Sequence, residues 1–386
     1  MIYLDNSATT PLCPEAREAM CRAMESYGNP SSLHGDGLAS AALLKDSREA
    51  IAAALGERYI KPGQLIFTAS GTEASAIALL GTAMAKSRRT ATTILTTDSE
   101  HPSVAQNLAL LEKQGFTVVR VPTKGGELDM DVVRAHANKS LFMVSMMLVN
   151  NETGALYPVG EVFAMAKAAN PDCICHCDAV QGFLKVPMSV KSLGADLITV
   201  SAHKIHGPKG VGALYISQRL LTARAIVPVY GGGGQEFGLR SGTENLIGIA
   251  GFAAAARRGL EKRAEFVSTT SALAQRLAEG LQGSEITLNL PKKRAPHILS
   301  ITLPDIKSET MLHYLSGKGI AVSAGSACSS HAKAPSATLL AFGLSAEAAD
   351  CTLRISLSAE NTAEQIDALI AALQCGLGEL VRIHHT

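Results

Sequence analysis

The sequence predicts an α/β protein: a mostly parallel, seven-stranded sheet wrapped by helices, followed by a smaller α+β domain. Three observations carry the prediction. Short apolar runs alternate with helix-length segments from about residue 64 onward. Several of those runs are continuous rather than alternating, the pattern of strands covered on both faces. The pattern then changes after the glycine run at 231–234, where an Ala- and Leu-rich stretch begins.

The strands are expected at 64–68, 93–97, 117–121, 141–149, 173–177, 196–200 and 211–216. Helices at 72–86, 102–114, 130–137 and 159–169 separate the first five, which is the order of parallel crossovers. Beyond the glycines, 245–281 reads as one or two long helices. Strands at 286–290 and 298–303, a helix at 309–318, a strand at 352–357 and a closing helix at 362–380 complete the pattern. Residues 16–255 are assigned to a large domain, and 1–15 with 256–386 to a small one.

Lys plus Arg number 35 against 34 Asp plus Glu, so no net field attracts nucleic acid or an anionic membrane. No apolar run approaches the roughly 18 residues of a membrane span. The N-terminus has neither the basic start nor the apolar middle of a signal peptide. A cytoplasmic location follows as an expectation, with thiols kept reduced, so the eight cysteines are read one by one.

Chemistry gathers where apolar strands end. Ser201-Ala202-His203-Lys204 through Gly210 directly follows the run at 197–200. Ligands of open α/β sheets sit beyond the carboxyl ends of strands, and a lysine there can bond a carbonyl cofactor. A solvated Lys/His loop would explain this segment taken alone. Asp178 ends another strand, where a carboxylate can hold a ring nitrogen protonated. Ser70-Gly71-Thr72 follows a strand and opens a helix, offering free N–H groups to a phosphate. His101 precedes Pro102 in a similar place and could stack on a flat ring. Capping residues or a structural histidine would account for each loop singly, but less easily for all four in strand order.

These segments resemble the cysteine desulfurases, the NifS/IscS-like group of the class V aminotransferase superfamily, whose fold is the type I fold of enzymes dependent on pyridoxal 5'-phosphate. The likeness runs nearly end to end. It includes Tyr3 through Pro11, Gly28-Asn29-Pro30-Ser31-Ser32, Gly71-Thr72-Glu73, Glu100-His101, Asn150-Asn151-Glu152-Thr153-Gly154, Asp178-Ala179-Val180-Gln181, Arg240-Ser241-Gly242-Thr243 and Gly325-Ser326-Ala327-Cys328. The resemblance implies that Lys204 holds the cofactor covalently and moves the substrate α-proton. It implies that Asp178 pairs with the pyridine nitrogen, His101 stacks on the ring, and Gln181 reaches the ring hydroxyl. Gly71, Thr72, Ser201 and His203 would bind the phosphate, with Thr243 completing that site in the neighbouring subunit of a homodimer. Asn151 and Arg354 would bind the carboxylate of L-cysteine, and Cys328 would take its sulfur as a persulfide for an acceptor protein of unknown identity.

Cys328 sits among small residues, from Ser323 to Ala327 before it and Ser329-Ser330 after it, which reads as a mobile loop and not a core strand. The thiolate is the competent nucleophile, and His101 is the candidate base. Cys173, Cys175 and Cys177 alternate along a strand, so their thiols should share one face, and core packing is expected of them in preference to metal binding. Two departures from the family concern Ala76, where relatives often carry Asn, and the end of the chain at Thr386, where relatives serving iron–sulfur scaffolds often have a longer tail. They leave the sulfur acceptor open. Two rivals stand beside the desulfurase: another enzyme of this superfamily, such as an aminotransferase or selenocysteine lyase, and a catalytically silent, cofactor-bound member of a sulfur-trafficking complex.

Overall fold

The computed structural model describes residues 1–85, 91–325 and 335–383. Twelve strands are found among them: β1 (Ile2–Tyr3), β2 (Leu65–Thr68), β3 (Thr93–Thr97), β4 (Thr117–Val121), β5 (Leu141–Met147), β6 (Ile174–Asp178), β7 (Leu197–Ser201), β8 (Gly212–Ile216), β9 (Thr287–Asn289), β10 (Ile298–Thr302), β11 (Ile320–Ala321) and β12 (Thr352–Ser356). The main sheet has seven strands in the order β2-β8-β7-β6-β5-β3-β4.

Only β8 runs against its neighbours, antiparallel to both β2 and β7. Two reversals restore the original sense, so β2 points the same way as β7. The carboxyl ends of β2, β3, β5, β6 and β7 therefore lie along one edge. β5, β6 and β7 are buried at every position, which is why their sequences are mainly apolar, with the few polar side chains paired inside. The predicted strands end within two residues of those observed, and those at 93–97 and 117–121 coincide with them.

The helix expected at 72–86 starts at Gly71, where Ser70 Oγ accepts from Glu73 N–H at 3.1 Å. It continues through a π-helical stretch at Ile77–Gly81 to Met84. Pro102 opens the helix Pro102–Lys113 after His101, whose side chain caps it. The long stretch at 245–281 is two helices, Leu246–Glu261 and Arg263–Gly280. Helices Pro14–Met24 and Gly35–Ala54 were not expected; both pack on Leu246–Glu261.

Two apolar cores bear on the site. The larger lies under one face of the main sheet and includes Val144, Cys173, Cys175, Cys177, Phe183 and Phe252. The three alternating thiols share this cluster, while His176 between them faces away, its Nδ1 paired with Ser145 Oγ at 2.8 Å and Nε2 with Thr199 Oγ1 at 3.0 Å. A second core gathers Leu277, Ile301, Met311, Leu353 and Leu369 beneath the sheet β12-β10-β9. Leu4 belongs to it, carried there by the parallel pairing of β1 with β11.

Leu4 has no exposed surface, so Leu4→Ala leaves a void in the second core. The expected cost is about 2–5 kcal/mol, read as a lowered midpoint in urea unfolding. A loss below about 0.5 kcal/mol, the range of ordinary surface substitutions, would show that the N-terminal segment is dispensable to that core.

Candidate active site

The edge formed by the strand ends closes into a single cavity. Its lining includes Gly71, Thr72, His101, Asn151, Asp178, Gln181, Ser201, His203, Lys204 and Arg354, together with Ser7, Ala8, Met147, Val149 and Val180. All the sequence-predicted site residues meet there except Thr243 and Cys328. Thr243 is exposed on the loop after the glycine run and lines a different cleft with Thr68, Arg240 and Glu244. Cys328 lies outside the described residues. Its flanks converge on one carboxylate: Ser336 Oγ donates to Glu152 Oε2 at 2.6 Å, and a Cβ placed on Gly325 would be 3.4 Å from the same oxygen. Glu152 follows Asn151 of the cavity.

Each residue arrives by a local device. Lys204 closes a short 3-10 turn, Ala202–Lys204, directly after β7. Its Nζ donates to the carbonyls of Ser7 and Ala8, so the N-terminal segment forms one wall. Gln181 Nε2 donates to Ser7 O at 2.9 Å as well. Thr10 is tied to His203 O through both its N–H and its hydroxyl, at 2.9 and 3.0 Å. Asn151 is presented by a turn whose pivot is Asn150: its Oδ1 accepts from the N–H groups of Glu152 and Thr153, each at 2.9 Å. Gly154 closes that turn at φ +74°, where a Cβ would meet Ile298 O at 2.7 Å.

At one end of the cavity the helix beginning at Gly71 presents its first N–H groups beside Ser201 and His203. Glycine suits the close approach there, since a Cβ on Gly71 would lie 3.0 Å from Val180 Cγ2. Free N–H groups, two hydroxyls and an imidazole suit an anion. At the floor, Asp178 accepts from Val180 N–H at 3.0 Å. Burial pushes its carboxyl up to about 6, against the pull of that amide and of Lys204. An acid held this deep gains from a cationic or N–H partner, which a protonated ring nitrogen supplies. His101 lines the cavity with Nδ1 turned to Ser103, accepting its N–H at 3.1 Å. Burial, then the Lys204 charge, brings the ring down to about 4, so it is neutral near pH 7 and presents an uncharged face.

Arg354 makes the opposite end. It is almost wholly buried, with Nη1 donating to Asn151 O at 3.0 Å and Nη2 to Asp5 Oδ1 at 2.8 Å. Its Nε is buried without a hydrogen-bond partner among the described residues. A guanidinium with spare donor capacity, beside the Asn151 side chain, fits a carboxylate. The cavity as a whole suits a flat cofactor with an anionic tail and a basic ring nitrogen, and a small amino acid held by its carboxylate.

The match to known families agrees with this geometry. Residues 2–369 fit the model of the class-V aminotransferases. The chain belongs to the class-V aminotransferase family. A relative from Dictyoglomus turgidum, cysteine desulfurase IscS, is 35% identical over 97% of this chain and 93% of its own. Among solved structures, a NifS-like protein superposes with a TM-score of 0.90 at 34% identity, covering 98% of this chain and all of the other. A second, described as SspA in complex with cysteine, has a TM-score of 0.79 at 29% identity and covers 94% of this chain and all of its own. This class-V member keeps Lys204, Asp178 and His101 in one cavity, on the loops where its sequence motifs put them.

Sequence reading missed four contributors. The Ser7 and Ala8 carbonyls carry no side-chain signal. Glu100 is buried beneath Asp178's neighbourhood, accepts from Thr97 Oγ1 and Met147 N–H at 2.8 and 2.9 Å, and is pushed by burial up to about 8. Lys185 is buried behind Gln181, its Nζ 3.5 Å from Gln181 Oε1, and burial followed by the charges of Lys204 and Arg354 brings it down to about 7. A Glu beside a His and a lone Lys in a turn look like ordinary surface residues in sequence.

The Asp178 carboxyl has a folded value above its ordinary 3.8. Its proton-linked stability is complete below about pH 4 and is lost as pH rises through about 6. Cofactor-free Asp178→Asn should therefore be more stable than the parent at pH 8 by about 1–3 kcal/mol, with that advantage gone at pH 4. Urea unfolding at the two pH values measures it; an equal difference at both would contradict a buried, proton-linked carboxyl.

Proposed function

We propose that this class-V protein is a cysteine desulfurase that uses pyridoxal 5'-phosphate to convert L-cysteine to L-alanine, leaving the sulfur on Cys328 as a persulfide. The observation that carries the reading is the single cavity joining Lys204 and Asp178 to a buried guanidinium whose Nε has no partner among the described residues. Full-length relatives named cysteine desulfurase support the activity.

Lys204 would hold the cofactor, with Asp178 at its ring nitrogen and His101 on its face. Gln181 would meet the ring hydroxyl, and Gly71, Thr72, Ser201 and His203 the phosphate. The cofactor, when bound, supplies an electron sink for negative charge at the substrate Cα. Arg354 and Asn151 orient the substrate carboxylate, which fixes the Cα–H bond toward Lys204. The amine of Lys204 then removes the α-proton. The Cys328 thiolate attacks the substrate sulfur: a sulfur–sulfur bond forms, the Cβ–sulfur bond breaks, and its electron pair stays with the carbon framework. A proton taken up at Cβ and one returned from Lys204 to Cα complete alanine, so no outside oxidant or reductant is needed.

Cys328 is three positions on from Gly325, a reach of at most about 11 Å. Gly325 is anchored beside Glu152, next to Asn151, which favours this thiol over the seven described cysteines. Cys175 and Cys177 are buried with thiols pushed far above the ordinary range, Cys175 chiefly by its hydrogen bond to Cys173 and Cys177 by burial. A two-fold homodimer is part of the reading, with the exposed Thr243 reaching the partner's phosphate site. The sulfur then passes to an acceptor protein.

Lys204→Ala should lower alanine release at least 10²-fold, the low end of what a positioned proton-transfer group provides. Retention of more than about a tenth of parent activity would sink the assignment. Cys328→Ala separates the two halves of the chemistry. Adding L-cysteine should still shift the cofactor absorbance, while alanine and persulfide stop appearing. Mass spectrometry of the parent protein should find one added sulfur on the Cys328 peptide; finding it on the peptide of Cys173–Cys177 would overturn the sulfur-transfer step and leave the cofactor assignment standing.

A further inference from the structure

The loop bearing Thr243 contains a turn that the proposed chemistry leaves unexplained. Glu236 and Phe237 have φ of +47° and +60°, although neither is glycine. Consecutive side-chain-bearing residues in this region persist only where their surroundings over-determine them.

What holds them is a buried ion pair with Arg48, on the helix Gly35–Ala54. Arg48 Nη1 and Nη2 donate to the two carboxylate oxygens of Glu236 at 2.6 and 2.8 Å. Nη1 also donates to Leu65 O at 2.7 Å, and Phe67 N–H donates to Glu236 Oε2 at 2.8 Å. The guanidinium carbon lies 4.9 Å from the Phe67 ring centroid and 5.1 Å from that of Phe237. Glu236 is 4% exposed and Arg48 9%. Two charges taken this far from water persist only with their donors and acceptors fully used, and removing one partner strands the other.

The pair is anchored on β2, the strand that leads into Gly71 and Thr72. The loop is tied to the same helix start a second time, by Arg240 Nε donating to Glu73 Oε1 at 3.0 Å. Gly242 N–H closes back on Gln235 Oε1 at 2.9 Å, and Thr243 follows, exposed. The strained turn is thus locked at its root and its tip is left outward.

We propose that the Arg48–Glu236 pair is a positioning clamp: it fixes the loop so that Thr243 reaches the phosphate of the cofactor in the neighbouring subunit. This rests on the homodimer and cofactor reading above. Two consequences distinguish it from a purely structural role. The clamp bears on the phosphate and not on the ring, and it acts on the partner's site, not its own.

The test uses Glu236→Gln, which keeps the shape and removes the charge. Pyridoxal phosphate and pyridoxal, which lacks the phosphate, are titrated by absorbance into the cofactor-stripped dimer. The dissociation constant for pyridoxal phosphate should rise about tenfold and that for pyridoxal less than about twofold. Glu236→Gln subunits are then paired with Lys204→Ala subunits. In the mixed dimer the Glu236→Gln site receives an intact loop from its partner, so its cofactor affinity and activity per competent site should return to parent values. Equal weakening of both ligands, or no recovery in the mixed dimer, would overturn the clamp. Should Glu236→Gln not fold, Arg48→Lys keeps the charge and loses the two-pronged contact; it should show the same phosphate-selective loss, about threefold, and an unselective loss would again overturn it. Thr243→Ala is the control: if it leaves phosphate selectivity untouched, the underlying dimer reading falls together with the clamp, whereas a selective loss in Thr243→Ala alone removes only the clamp.

Discussion

The carboxyl of Asp178 sits at the end of a strand buried on both faces, and the cavity is arranged around the cost of keeping it there. An acid withdrawn from water resists ionisation unless a donor or a cation compensates. The chain supplies little compensation itself: one amide from Val180 and the more distant charge of Lys204. The neighbouring Glu100 is pushed up by burial and, to a lesser degree, by Asp178. Such a pair is poorly suited to stability and well suited to binding a group that brings its own positive charge.

The opposite wall depends on the first residues of the chain. Leu4 anchors in the second core, Asp5 accepts from Arg354, and the Ser7 and Ala8 carbonyls accept from Lys204. Ser7 N–H donates to Ser356 Oγ at 2.8 Å, on the same strand as Arg354. The N-terminal segment therefore touches both the lysine and the arginine. A shift in the second core would be felt at both, which couples substrate positioning to the packing of a sheet the cofactor would not touch. Among the described residues no helix is long and apolar enough to cross a membrane.

Much of this was legible in the sequence because the signals are local. An apolar run ending in Asp178, or in Ser201 through Lys204, records both a buried strand and the residue at its carboxyl end. Parallel crossovers then send all such ends to one edge, so naming the strands was enough to gather Gly71, His101, Asp178 and Lys204, while Asn151 came from the resemblance. The two-residue strands Ile2–Tyr3 and Ile320–Ala321 were not legible, since two residues carry no period. Helices Pro14–Met24 and Gly35–Ala54 were not legible either, because the strand before them has only two residues and so no alternation of strand and helix marks them.

The sequence by itself determined the alternation of strands and helices, the identity of the residues at the strand ends and, through their motifs, the family. Those properties depend on neighbours a few positions apart. Tertiary structure alone decided the reversal of β8, the use of the Ser7 and Ala8 carbonyls as a wall, the burial of Lys185 behind Gln181, and the pairing of Arg48 with Glu236 across 188 positions of sequence. Each of these joins distant segments, and its energy depends on distance, direction and exclusion of water, none of which the order of residues contains. Lysine and glutamate read as surface residues until the fold removes the solvent around them.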